Sequence, residues 1–240
     1  MLEINAQFFG WAAAFKSESK SGILNCVRIE NNPNGGVMIM ACDEHSFGMF
    51  YDASGQSDGT TTIIEPSRKL VSACVEKTRS GNRLQIEDGL IHVAGDRGKV
   101  QVFKETVTGE WQYPNWRVFF KKIKSANEGN EKIKDIPINI RALDKFKFRN
   151  MDGDRAIRVF PTGKDSPIMV LIDGCEEFVG LTMPNYSYMD EKVGVFNPWW
   201  LKGLGIFDAE NPTFMEHYTA TIEQDWFIRH VFRENDRRSH

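Results

Sequence analysis

Residues 37–52 read Val-Met-Ile-Met-Ala-Cys-Asp-Glu-His-Ser-Phe-Gly-Met-Phe-Tyr-Asp. Two short runs, Val37 to Cys42 and Phe47 to Asp52, are rich in β-branched and aromatic side chains and flank a polar stretch. Such side chains suit a pleated, packed surface, so both runs are expected as strands. The same signal appears at Ile23 to Glu30, and again at Leu84 to Glu87, Ile91 to Ala94 and Val100 to Lys104. Asn34-Gly35-Gly36 and Asp88-Gly89 between the runs carry turn chemistry. Helical candidates are few. One is Ala6 to Lys16, and another is Ser67 to Thr78, opened by Pro66-Ser67 as a cap.

Taken in order, a helix followed by about three strands occurs twice and then repeats. A third copy starts with a strand from Ile136 to Ile140 and a helix from Arg141 to about Phe148. Strands over Ala156 to Pro161, Ile168 to Asp173 and Glu177 to Met183 follow it. A shorter fourth copy is expected from Val193, where Val195-Phe196-Asn197-Pro198-Trp199-Trp200-Leu201 echoes Ile63 to Leu70. Its helix would cover 198–207, with strands near Phe214 to Ile222 and Trp226 to Phe232. Lys121 to Asp135 is polar, charged and nearly free of apolar residues, as a connector should be. The expected organisation is therefore a domain over 1–120, a connector over 121–135 and a second domain over 136–240.

With 240 residues, 41% hydrophobic and 26% charged, the chain can bury a core rather than stay disordered. Its longest apolar runs, such as Phe8 to Phe15, are too short to span a bilayer, and no signal segment opens it. A cytoplasmic protein with no membrane partner is expected. Cys26, Cys42, Cys74 and Cys175 are scattered without a CxxC pair, so no metal site is expected. They read as core thiols in a reducing compartment. Gly95-Asp96-Arg97-Gly98-Lys99 has the wrong spacing for a phosphate loop, and Asn150 to Asp154 lacks the ligand pattern of a calcium loop. Both read as turns. No catalytic signature or cofactor motif appears, and His45 has no partnered nucleophile or acid in a motif.

Four elements carry a family resemblance. Leu24-Asn25 stands where the bacterial DNA sliding clamp, the beta subunit of DNA polymerase III, has a leucine and asparagine. Cys42-Asp43-Glu44-His45-Ser46-Phe47 resembles the family's Thr-Asp-Gly-His-Arg-Leu element, and Tyr113-Pro114-Asn115-Trp116-Arg117 its Phe-Pro-Asp-Tyr-Arg element. Gly180-Leu181-Thr182-Met183-Pro184 is similar to its Val-Val-Met-Pro ending. The likeness covers about residues 5–120 continuously and 136–185 more loosely. Ser46 departs from the family's Arg and Glu44 from its Gly, and the chain is shorter than the three-domain bacterial subunit. A viral or mobile-element clamp, or a two-domain clamp, fits these departures.

The resemblance implies an α+β clamp fold of repeated helix-plus-strands units, with helices lining a central hole and antiparallel sheets outside. It implies a processivity factor that encircles double-stranded DNA without reading sequence. Polymerase and clamp loader would dock through short linear motifs, and no cofactor is required. Clamp rings contain six domains, so two per chain imply a homotrimer. The docking pocket would be walled by Leu24, Cys42, His45, Phe47, Pro114, Phe119, Leu181, Met183 and Pro184.

Charge offers a separate test of the hole. The helical segments, counted as 7–20, 67–79, 141–149 and 198–207, hold eleven basic and three acidic residues. Their net +8 leaves −11 for the rest of a chain that totals −3. The expected DNA-facing set is Lys16, Lys20, Arg68, Lys69, Lys77, Arg79, Arg141, Lys145, Lys147 and Arg149, with Lys202 in the fourth segment. Two rival readings stay open: a clamp-like decoy that closes no ring, and an enzyme, which would need a carboxylate cluster that the sequence does not offer.

Overall fold

A computed structural model describes residues 1–18, 22–76, 82–94, 100–108, 113–118, 120, 138–148, 151, 155–160 and 167–184. All of them fall within one compact unit, Met1–Asp190. The expected connector and fourth copy lie outside the described residues, as does the turn expected at 95–99.

Twelve strands are described, all paired antiparallel in two sheets. The smaller sheet joins β1 (Leu2–Asn5), β6 (Arg83–Glu87), β7 (Leu90–Ala94) and β8 (Val100–Phe103), in that order. The larger sheet has eight strands. From one edge they are β10 (Ile157–Phe160), β11 (Ile168–Ile172), β12 (Phe178–Thr182) and β4 (Ser46–Asp52). Then come β3 (Val37–Cys42), β2 (Val27–Asn31), β5 (Thr62–Glu65) and β9 (Thr106–Thr108). Strands from before and after residues 121–135 thus share one sheet, joined where β12 pairs with β4. All six residues of β3 are buried, as its unbroken apolar sequence requires of a strand covered on both faces.

The expected strands at 37–42, 47–52, 84–87, 91–94, 100–104 and the last three of the third copy appear with ends shifted by a residue or so. The strand expected over 136–140 does not: Ile138 makes only an isolated bridge to Pro184, Asn139 caps a helix and Ile140 opens it, while 136 and 137 lie outside the described residues. Ile23–Asn25 is a 3-10 turn rather than the start of a strand. β1, β5 and β9 carry too few residues for alternation to show. Asp88 and Gly89 take φ of 50° and 75°, the left-handed pair that a tight hairpin between β6 and β7 demands.

The helices are shorter than the sequence suggests. α1 spans Ala6–Ala12, α2 Arg68–Cys74 and α3 Ile140–Asp144. Asn5, Ser67 and Asn139 cap them, each side-chain oxygen accepting from amides of the first turn. Beyond Ala12 the chain tightens into a 3-10 turn over Ala13–Phe15, whose Ala13 and Phe15 stay buried. That continued burial mimics helical periodicity, which explains the overlong expectation to Lys16.

Packing converges on the seam between β4 and β12. Gly48 and Gly180 are register partners there. A Cβ at Gly48 would overlap the Phe15 ring, and one at Gly180 would overlap Phe146. The two bare backbones form a trench that receives both rings, which meet edge to face at 5.1 Å. Phe178 lies 4.8 Å from Phe50 and 5.0 Å from Phe148, and Trp11 stacks on Phe148 at 5.5 Å. At the other junction, buried Asp52 ties the sheets together. Its Oδ2 accepts from Asn5 N at 2.6 Å and from Arg83 Nη1 at 3.2 Å, while Arg83 Nε donates to Glu3 at 2.9 Å.

Gly48→Ala is expected to lower unfolding free energy by about 1 to 3 kcal/mol, the ordinary cost of overpacking. A fall in the urea midpoint, with the slope unchanged, is the measurement that checks it.

Candidate functional site

Where the seam reaches its end, the chain opens a cavity of about 260 Å³. Leu24 enters from the 3-10 turn before β2, and Cys42 from the end of β3. Asp43, Glu44 and His45 follow in the turn, and Ser46 and Phe47 open β4. Pro114, Pro167, Leu181, Thr182 and Met183 complete the lining. Register puts Phe47 opposite both Cys42 and Leu181, so three adjacent strands present one apolar row. Cys42, Phe47 and Leu181 are buried and form the back wall. Leu24, Pro114 and Met183 are half-buried and His45 exposed, so these four make the mouth.

Backbone bonds hold the mouth in shape. Asp43 Oδ1 accepts from His45 N at 2.8 Å and Ser46 N at 2.6 Å, and Asp43 N donates to Ser46 O at 2.9 Å. Met183 N donates to His45 O at 2.8 Å, which links β12's end to the turn. Behind the wall, the buried Tyr113 hydroxyl accepts from Cys42 N at 3.1 Å and donates to Cys26 O at 3.4 Å. Arg117 reaches Glu30 at 2.6 Å and lies over the Trp116 ring at 4.3 Å. Burial, only partly offset by the bond to Tyr113, pushes the Cys42 thiol from 9.0 up to about 11, and burial also raises Tyr113. The wall is therefore neutral near pH 7, with the thiol acting as a small apolar group.

Of the nine residues expected at a docking pocket, seven line this one cavity: Leu24, Cys42, His45, Phe47, Pro114, Leu181 and Met183. Pro184 is instead bridged to Ile138, and Phe119 lies outside the described residues. Asp43, Glu44, Ser46 and Thr182 also line it and belong to the quoted elements without being expected as pocket residues, while Pro167 lies in none of them.

The basic residues divide differently. Lys16, Arg68 and Lys147 line a second cavity of about 440 Å³ between α1 and α2, floored by Trp11, Val71 and Phe148. Arg68, Lys69 and Arg141 are exposed at helix starts, and Lys147 is exposed and paired with Asp144 at 2.5 Å. Lys145, expected among the DNA-facing cations, is turned inward and forms an ion pair with Asp43 at the mouth of the first cavity. Lys20, Lys77, Arg79 and Arg149 lie outside the described residues. Among the described residues, no group of His, Cys, Asp and Glu is arranged to hold a metal ion, and no helix is long and apolar enough to cross a membrane.

No protein-family model matches the sequence, and no curated relative matches it either. Solved structures do. The DNA polymerase III subunit beta of Borrelia burgdorferi aligns with TM-score 0.53 and 13% identity over 76% of this chain and 63% of that one. The beta chain of Streptococcus pneumoniae gives 0.52, 14%, 77% and 64%, and the DNA polymerase sliding clamp of Pseudomonas aeruginosa 0.50, 15%, 76% and 65%. The chain has the sliding-clamp fold. It spans less than two thirds of each of these clamps, and at such identities the likeness concerns architecture alone.

Within this clamp fold the raised thiols give a pH dependence with a definite sign. Burial holds Cys26 and Cys42 protonated up to about 11, whereas in the unfolded chain they titrate near 9.0. Stability fully present below pH 9 should be lost as pH rises toward 11, because the unfolded state releases its protons first. Urea midpoints measured from pH 8 to 11 should fall, and Cys42→Ala should flatten part of that slope.

Proposed function

We propose that this chain is a DNA sliding clamp, a non-enzymatic ring subunit that holds a polymerase on duplex DNA. One observation carries the reading. Seven residues from four separated stretches, each named by a clamp-like motif, line a single apolar cavity on a clamp fold. A cavity of that kind, with few polar groups at its mouth, suits the apolar side chains of a short linear peptide.

The helix layer supports the DNA half of the proposal. Arg68, Lys69, Arg141 and Lys147 project from it, which suits sequence-independent attraction to phosphate. Ring closure has a physical basis in β8, an outer strand of its sheet whose Val100 and Val102 are 56% and 54% exposed. An exposed apolar edge strand invites pairing with another copy. On the two domains per chain expected from the sequence, head-to-tail closure would take three copies of 27.5 kDa, or about 80 kDa in light scattering. Val102→Lys should shift that mass to the monomer. A wild-type monomer at micromolar concentration would favour the decoy instead.

The pocket is tested with a labelled peptide bearing a bacterial clamp-binding motif. Fluorescence polarisation should give a micromolar affinity, about −8 kcal/mol. Met183→Ala at the mouth should weaken it by about 1 to 3 kcal/mol while melting changes little. Phe47→Ala is the poorer probe, because a ring only 4% exposed also carries fold stability. Equal affinities for wild type and Met183→Ala would remove the pocket assignment. Separately, changing Arg68, Lys69 and Arg141 to Glu should abolish retention on nicked circular DNA, and unchanged retention would mean the helix layer does not face DNA.

A further inference from the structure

We infer that Lys145 is a positioning residue of the cavity, its ammonium fastening two opposite parts of the mouth from the far half of the chain. The inference rests on the pocket reading above and assigns that site a control element. The charge pattern had grouped Lys145 with DNA-facing cations, but its surroundings say otherwise. Its Nζ pairs with Asp43 Oδ2 and also donates to Lys16 O at 3.4 Å. The two side chains are 22% and 17% exposed, so both are largely withdrawn from solvent.

Each partner leads directly to a wall. Asp43 uses its other oxygen, Oδ1, to hold the amides of His45 and Ser46, so the whole carboxylate is spent on the turn and on Lys145. Lys16 is followed by Ser17, whose amide donates to Leu24 O at 2.7 Å, and Leu24 lines the cavity from the other side. One cation therefore fixes the 43–46 turn relative to the Lys16–Leu24 segment.

Lys145 can act as a fixed post because its own backbone is anchored. It caps the end of α3, its amide donating to Ala142 O and Leu143 O, and the next residue, Phe146, sits against Gly180. Removing the ammonium leaves a half-buried carboxylate with no countercharge, which costs more than the pair gains. The turn would then swing toward water, carrying His45 and Ser46 with it.

The test compares wild type, Lys145→Met and Lys145→Arg in the full chain. Amide hydrogen exchange at His45 and Ser46 needs no ligand. In Lys145→Met it should accelerate about tenfold, while amides of Ile39 and Phe50 in the sheet centre keep wild-type rates. Peptide affinity, read by polarisation with the same motif peptide, should fall by about the same factor, and Lys145→Arg should restore both. Retention on nicked circular DNA should be unchanged in Lys145→Met, since the ammonium is turned inward to the mouth and is only 22% exposed. Unaltered exchange at Ser46 overturns the inference, and so does acceleration spread evenly through the sheet, which would mark a general loss of stability. Lost DNA retention with an unchanged mouth would return Lys145 to the DNA-facing set. Should the mouth loosen as expected while wild type binds no peptide, Lys145 keeps its role in holding the walls and the peptide reading alone fails.

Discussion

Two residues without side chains hold the two halves of this chain together. Gly48 and Gly180 face each other across the β4–β12 pairing, and the absence of both Cβ atoms lets Phe15 and Phe146 lie against bare backbone. Neighbouring side chains along a strand point to opposite faces. One step from each glycine, therefore, Phe47 and Leu181 point to the other side of the sheet and form the back of the cavity. The aromatic layer and the cavity are two faces of one seam. A shift of β12 by one residue would put Leu181 among the phenylalanines and strip the cavity of its wall.

This dependence explains what the sequence revealed and what it hid. Strands such as Val37–Cys42 were legible because their apolar character is local and continuous. Seven cavity residues were legible only through motif resemblance, since Leu24, Phe47, Pro114 and Leu181 lie far apart and each alone reads as core. The glycine pair was not legible. Gly48 and Gly180 are separated by most of the described chain, and their role exists only in the register that brings them together. Helix lengths failed for a related reason: Phe15 is buried by Gly48 and the aromatic layer, and that burial continues the apolar period past the helix's end.

The chemistry of the cavity follows from burial rather than from charge. Cys42 and Tyr113 stay protonated because ionising them would strand charge away from water. Their mutual hydrogen bond then serves to brace the wall, with the tyrosine hydroxyl holding the amide of Cys42 and the carbonyl of Cys26. Formal charge remains only at the turn: at Glu44, which is exposed, and at Asp43, which is matched by Lys145. Such a wall offers a ligand contact area without competing for its polar groups.

Lys145 and Lys147 show why a charge count along a segment cannot assign surfaces. Two residues apart at the end of α3, they differ in side-chain exposure as 22% against 75%. The helix stops at Asp144, and from there Phe146 and Phe148 turn into the aromatic layer. Sequence spacing alone therefore no longer says which lysine meets solvent. Asp43, the partner that claims Lys145, lies 102 positions earlier and could not be paired with it before the halves were joined. Diffuse attraction to phosphate needs many cations and no fixed geometry, so Lys147 can serve it from an exposed position. Holding the mouth needs one cation in one place. Under the proposed function, the short end of α3 supplies both from residues whose exposures differ, so the two roles are separable by substitutions at 145 and 147.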